Sequence, residues 1–114
     1  MTPQDFVECI RREILEANLE LYCQTLERSL SEPKISDELW RGTGDLYRSL
    51  DTDHRRQMIG TIRQVMVATL SNVLGVLDGS SLLERHRDYF HLTYGTAPTE
   101  LNGELQDPFL STES

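Results

Sequence analysis

The sequence is short of the features that mark most chemistries. It holds two cysteines, four prolines, seven glycines and only 7% aromatic residues. Cys9 and Cys23 fall on one expected helix, fourteen residues apart. At a rise of about 1.5 Å per residue they stand about 21 Å from each other, against a limit near 7 Å for bridging two Cα atoms. A disulfide between them is excluded while that helix is straight. Two free thiols suit a reducing compartment, so the expected location is cytoplasmic, although a bridge between two chains stays open.

Basic residues are the next scarcity. Eleven Lys and Arg stand against nineteen Asp and Glu, a formal charge of −8 and a pI near 4.7. That sign repels phosphate backbones. The basic clusters, Arg11-Arg12, His54-Arg55-Arg56 and Arg85-His86-Arg87, are interleaved with acids, and none alternates with aromatics as a base-stacking surface does. Nucleic acid is therefore not an expected partner. No basic start followed by an apolar stretch and a small-residue cleavage site is present, so no secretory signal is expected. The longest uncharged stretch, residues 64–77, falls short of the roughly 20 residues of a spanning helix and includes Gln64, Thr69, Ser71 and Asn72. It reads as a core helix, with no membrane partner.

Absent too are the Gly-x-Ser-x-Gly elbow, the Walker loop, paired Cys-x-x-Cys and His-Glu-x-x-His. Gly42-Thr43-Gly44 has no strand before it and no third glycine, so it is no dinucleotide fingerprint. No cofactor is expected, and the balance leans away from an enzyme.

What is present is helical patterning in a chain of single-domain size. The expected fold is mainly α: a small helical domain over residues 1–110, with a long central helix and a short C-terminal β-hairpin, then a frayed tail over 111–114. Thr2-Pro3-Gln4-Asp5 opens a helix that can run to Leu30, before Pro33. One apolar stripe holds Phe6, Val7, Ile10, Ile14, Ala17 and Leu21. A second, rotated by roughly 150° on the wheel, holds Leu15, Leu19, Tyr22, Cys23, Leu26 and Leu30. Either the helix breaks near Asn18 or two surfaces bury it.

Ser36-Asp37-Glu38 caps a second helix carrying Leu39, Trp40, Leu46, Tyr47 and Leu50, with Arg41-Gly42-Thr43-Gly44 as a loop between its turns. Asp51-Thr52-Asp53 starts the central helix, which runs from Asp53 to Asp78 and stops at Gly79. Its expected core stripe is Met58, Ile59, Ile62, Val65, Met66, Thr69, Leu70, Val73, Val76 and Leu77. Small residues, Gly60, Ala68, Ser71 and Gly75, occupy the opposite side, where another backbone is expected to pack closely. Residues 82–88 suggest a short helix, Tyr89 to Tyr94 a strand, and Thr99-Glu100-Leu101 its partner, with Asn102-Gly103 as a turn or cap.

Glu84, His86, Asp88 and His91 are the nearest approach to a metal site, since imidazole and carboxylate are metal ligands. His86 and His91 lie five apart rather than the i, i+4 of helical zinc motifs, so exposed polar residues are the preferred reading and no metal is expected. His54 beside Asp53 has the makings of an oriented general base, but a solvated histidine in a first helical turn is the commoner case. Neither thiol sits in the electropositive surroundings that activate cysteine.

The preferred function is a non-catalytic protein-interaction domain, acidic and suited to a basic partner by charge complementarity, as in an immunity-type inhibitor, or else self-associating as a homodimer. The interface candidates are Leu15, Leu19, Tyr22, Leu26, Trp40 and Tyr47. The alternatives are a small metal-binding protein or enzyme using His86, Asp88 and His91, or a small-molecule-binding helical domain with its pocket near Trp40 and Met66.

Overall fold

A hydroxyl, a proline and an acid in sequence give the first helix a complete start. In the computed structural model, which describes residues 1–32, 37–84, 86 and 88–113, the Thr2 hydroxyl accepts from the Asp5 N–H at 3.1 Å. The Asp5 carboxylate accepts from the Thr2 N–H at 3.1 Å in return, and these bonds hold its carboxyl below the ordinary value. The chain is mainly α-helical: α1 (Pro3–Ile10), a π-helical turn (Arg11–Glu16), α2 (Ala17–Ser31), α3 (Glu38–Ser49), α4 (Thr52–Asp78) and α5 (Gln106–Ser111). The stop at Pro33 and the capping Ser36 lie outside the described residues, as do Arg85, Arg87 and Ser114.

Asn18 lies inside α2, so there is no break there; the irregularity is the π turn before it. A turn bonded i to i+5 is wider than an α turn and retards the phase of everything after it. Leu15 thereby joins Val7 in one core, at 1% and 5% exposure, whereas Ile14, which a uniform wheel groups with Val7, is 43% exposed.

The chain divides into two compact units, residues 1–15 with 65–114, and residues 16–64. In the first, Val7, Leu15, Val67, Leu74, Leu105 and Phe109 form the core. α5 packs on α1, with the Arg11 guanidinium 4.6 Å from the centre of the Phe109 ring, donating to the Phe109 carbonyl and pairing with Glu113. Where a frayed tail was expected from residue 111, Ser111 closes α5 and Glu113 is tied to Arg11.

α4 buries most deeply a line of residues beside the expected stripe, of which Met66, Leu70 and Leu77 are partly buried against the core. Its buried residues are Val67, Ser71, Leu74 and Gly75, while Val65 and Val73 are 60% and 52% exposed. Of the small-residue side, Ser71 and Gly75 are covered, by a side chain and not by backbone, while Gly60 and Ala68 are exposed: Gln106 donates to the Ser71 carbonyl at 3.0 Å, and a Cβ on Gly75 would lie 2.9 Å from its amide nitrogen. Small residues admit that amide and its hydrogen bonds, which a stripe of bulky apolar residues would leave unpaired. By length and composition α4 is apolar enough to cross a membrane, and 22% of its most apolar window is buried. Gly79, at φ +82°, ends it as expected.

No strand occurs among the described residues, so the C-terminal hairpin is not formed, and residues 82–84 are not helical. The β-forming run satisfies its backbone through one backbone bond and one side chain instead. Leu101 N–H donates to the Leu92 carbonyl at 2.7 Å, and Asn102 Oδ1 accepts from the Leu92 N–H at 2.8 Å. Asn102 Nδ2 also donates to the carbonyls of Leu77 and Phe90. A single backbone bond and one amide thus stand where a strand ladder was expected.

In the second unit, α3 runs unbroken through Gly42 and Gly44, correcting the expected loop. Gly44 is buried against Ser29 of α2, and a Cβ there would approach the Ser29 Cβ to 3.1 Å. The absence of that atom lets α2 and α3 pack closely.

Candidate functional site

The α2–α3 pair presents a small apolar cleft of about 170 Å³, lined by Tyr22 and Leu26 of α2, Leu39, Trp40 and Thr43 of α3, and Ile62 of α4. Asp37 sets it up: its carboxylate accepts from the Trp40 N–H at 3.0 Å, capping α3 and fixing the turn that carries Leu39 and Trp40. The Tyr22 and Trp40 rings lie 5.1 Å apart, tilted by 40°. Leu39 is 75% exposed and Tyr22 40%, large apolar surface left to solvent beside a recess.

Behind the cleft the unit is braced by polar contacts. The Tyr47 hydroxyl donates to Glu27 at 2.6 Å. Burial first, then Glu27, push the Tyr47 phenol up to about 12. Arg55 donates to the carbonyls of Tyr47 and Arg48 at 2.9 and 3.2 Å, closing the C-terminus of α3. Partial burial, helped by Glu27 and Glu20, pushes the Cys23 thiol up, away from a reactive thiolate.

Of the interface residues read from the sequence, Tyr22 and Trp40 line the cleft with Leu26 at its buried floor. Leu19 is half-buried, Tyr47 is buried in the second unit, and Leu15 belongs to the core of the first. Leu39, the most exposed large apolar side chain among the described residues, was not among them. Its position beside an N-cap, with Trp40 next to it, was the available signal.

The histidines do not converge. His91 Nδ1 pairs with Glu100, while His86 and Asp88 line a separate cavity of about 450 Å³ walled by Leu82, Leu83, Tyr89 and Phe90. Among the described residues no three His, Cys, Asp or Glu gather as a metal would require. His54 is paired with Asp51, at 2.8 Å on the exposed surface, not with Asp53; the Asp51 carboxylate also accepts the His54 N–H at 2.8 Å and so caps α4. Trp40 and Met66 belong to different units, so they do not mark one pocket within either.

No protein-family model, curated protein or solved structure matches the chain.

Proposed function

We propose that the chain is a non-catalytic protein-interaction domain whose cleft between α2 and α3 receives an apolar anchor of a basic protein partner. The observation that carries this reading is Leu39, left 75% exposed beside the Tyr22–Trp40 pair. Aromatic side chains around a small recess are the groups that dominate binding energy in protein interfaces. The preference for a basic partner rests on the chain's overall charge of −8. Long-range attraction from such a field raises association rates. An immunity-type inhibitor is one form such a domain takes, supported by size and charge alone.

A lysine- and leucine-bearing amphipathic peptide tests this. Binding is expected to change Trp40 fluorescence, to weaken with added salt, and to fall about tenfold or more in Leu39→Glu, as loss of a central anchor does. Light scattering on the protein alone shows whether a second copy fills the cleft instead. A monomer whose Trp40 signal ignores the peptide would sink the reading.

A second reading has its own observation. The cavity of about 450 Å³ beside Tyr89 and Phe90 has the volume and the mixed apolar and polar lining of a small-ligand site. Protection of Tyr89 and Phe90 resonances by a small aromatic ligand would favour it.

A further inference from the structure

Asn102 is followed by Gly103, the pairing in which an asparagine side chain is most open to attack by the next backbone nitrogen, because glycine has no Cβ to obstruct the approach. In the folded chain both reactants are occupied. Asn102 Nδ2 donates to the Leu77 and Phe90 carbonyls at 2.5 and 2.8 Å, and its Oδ1 accepts from Leu92 N–H at 2.8 Å. The Gly103 N–H donates to Asp78 Oδ1 at 2.8 Å. The other Asp78 oxygen accepts from the N–H groups of Leu105 and Gln106, each at 2.8 Å. A carboxylate bonded to the Gly103 N–H opposes loss of its proton, and the three bonds to the Asn102 amide restrict the rotation that attack on its carbon requires.

We propose that Asn102 is a deamidation site guarded by Asp78, and that its modification irreversibly unlocks the C-terminal segment of the first unit. The reaction needs only water. When the segment opens, the Gly103 nitrogen gives its proton to solvent base and bonds to Cγ of Asn102. The Cγ–Nδ2 bond breaks, and Nδ2 takes a proton back from solvent and leaves as ammonia. Water then adds to either carbonyl of the resulting succinimide and cleaves one ring C–N bond, leaving aspartate or isoaspartate. One water is consumed, one ammonia released, and nothing is oxidised or reduced.

The product cannot restore the native contacts. A carboxylate at position 102 has no N–H to give the Leu77 and Phe90 carbonyls, and it adds negative charge in a segment already organised around Asp78. The partly buried Leu77 carbonyl loses its donor and a carboxylate faces it, which destabilises the closed form, so a transient opening becomes permanent.

The test follows the full chain at mildly alkaline pH by peptide mapping that separates asparagine, aspartate and isoaspartate. Asn102 is expected to convert about tenfold or more slowly in the native chain than in denaturant, the protection a closed segment gives. Asp78→Ala is expected to close much of that gap in buffer while circular dichroism shows the helices intact. Asn102→Asp, which needs no ageing, is expected to melt below the parent protein. Equal conversion rates in native and denatured chains would overturn the proposal, as would an Asn102→Asp variant that melts with the parent. If Asp78→Ala does not fold, the native-against-denatured comparison and Asn102→Asp decide.

Discussion

Gly44 rests against Ser29 so closely that a single added carbon would fall 3.1 Å from the Ser29 Cβ. Ser29 has little room to yield, being 1% exposed with its hydroxyl donating to the Leu26 carbonyl at 2.5 Å. Gly44→Ala is therefore expected to destabilise the protein by about 1–3 kcal/mol, the usual cost of overpacking. Gly42, with nothing within 4 Å, is the matched control: Gly42→Ala is expected to stabilise by about 0.4–1 kcal/mol through the unfolded chain. Chemical denaturation of the two variants measures both signs.

The buried face of α4 makes a second contrast. Leu74 is 3% exposed and Val73, its neighbour, 52%. Leu74→Ala is expected to cost about 2–5 kcal/mol through lost burial and the cavity it leaves. Val73→Ala is expected to stay within about 0.5 kcal/mol of the parent. A large loss at Val73 with little at Leu74 would mean that the other face of α4 is the buried one.

Tyr47 gives a pH dependence of definite sign. Its phenol titrates at about 12 in the folded chain and near the ordinary 10 when unfolded. Between those values the folded state holds the extra proton, so stability falls as pH rises. The contribution is whole below about pH 10 and lost by about pH 12. Urea midpoints across that window are expected to fall in the parent and to flatten in Tyr47→Phe, which also forfeits the bond to Glu27.

Zinc added to metal-free protein is expected to leave Tm unchanged. His91 pairs with Glu100, while His86 lines a cavity to which His91 does not contribute. A zinc-dependent rise that vanishes in both His86→Ala and His91→Ala would restore the metal reading.

Caps were the most legible part of the sequence. Thr2 with Asp5, Asp37, Asp51 and Gly79 each act through a neighbour only a few residues away, so local chemistry was enough to place them. The face of α4 was not legible, because that helix is apolar on most sides and what selects its buried side is Gln106, far along the chain. The hairpin failed for a related reason. Tyr89 to Tyr94 has the propensity of a strand, but a long-range partner, Asn102, meets its backbone first. Within the cleft, Tyr22 and Trp40 could be read from their residue types, whereas the exposure of Leu39 depends on how α2 and α3 pack.

The π turn at Arg11–Glu16 sets two demands against each other. Uniform α-helical bonding would have kept the ladder regular and pointed Ile14 inward. The chain instead accepts poorer bonding over one turn and encloses Leu15 in place of Ile14, which is left 43% exposed. A helix carrying this defect behaves like a vernier: one surplus residue, absorbed in a single turn, retimes the side chain at its end and brings Leu15 to the core that holds Val7. Removing that residue would return the turn to α-helical bonding and put Leu15 out of step with the core of the first unit.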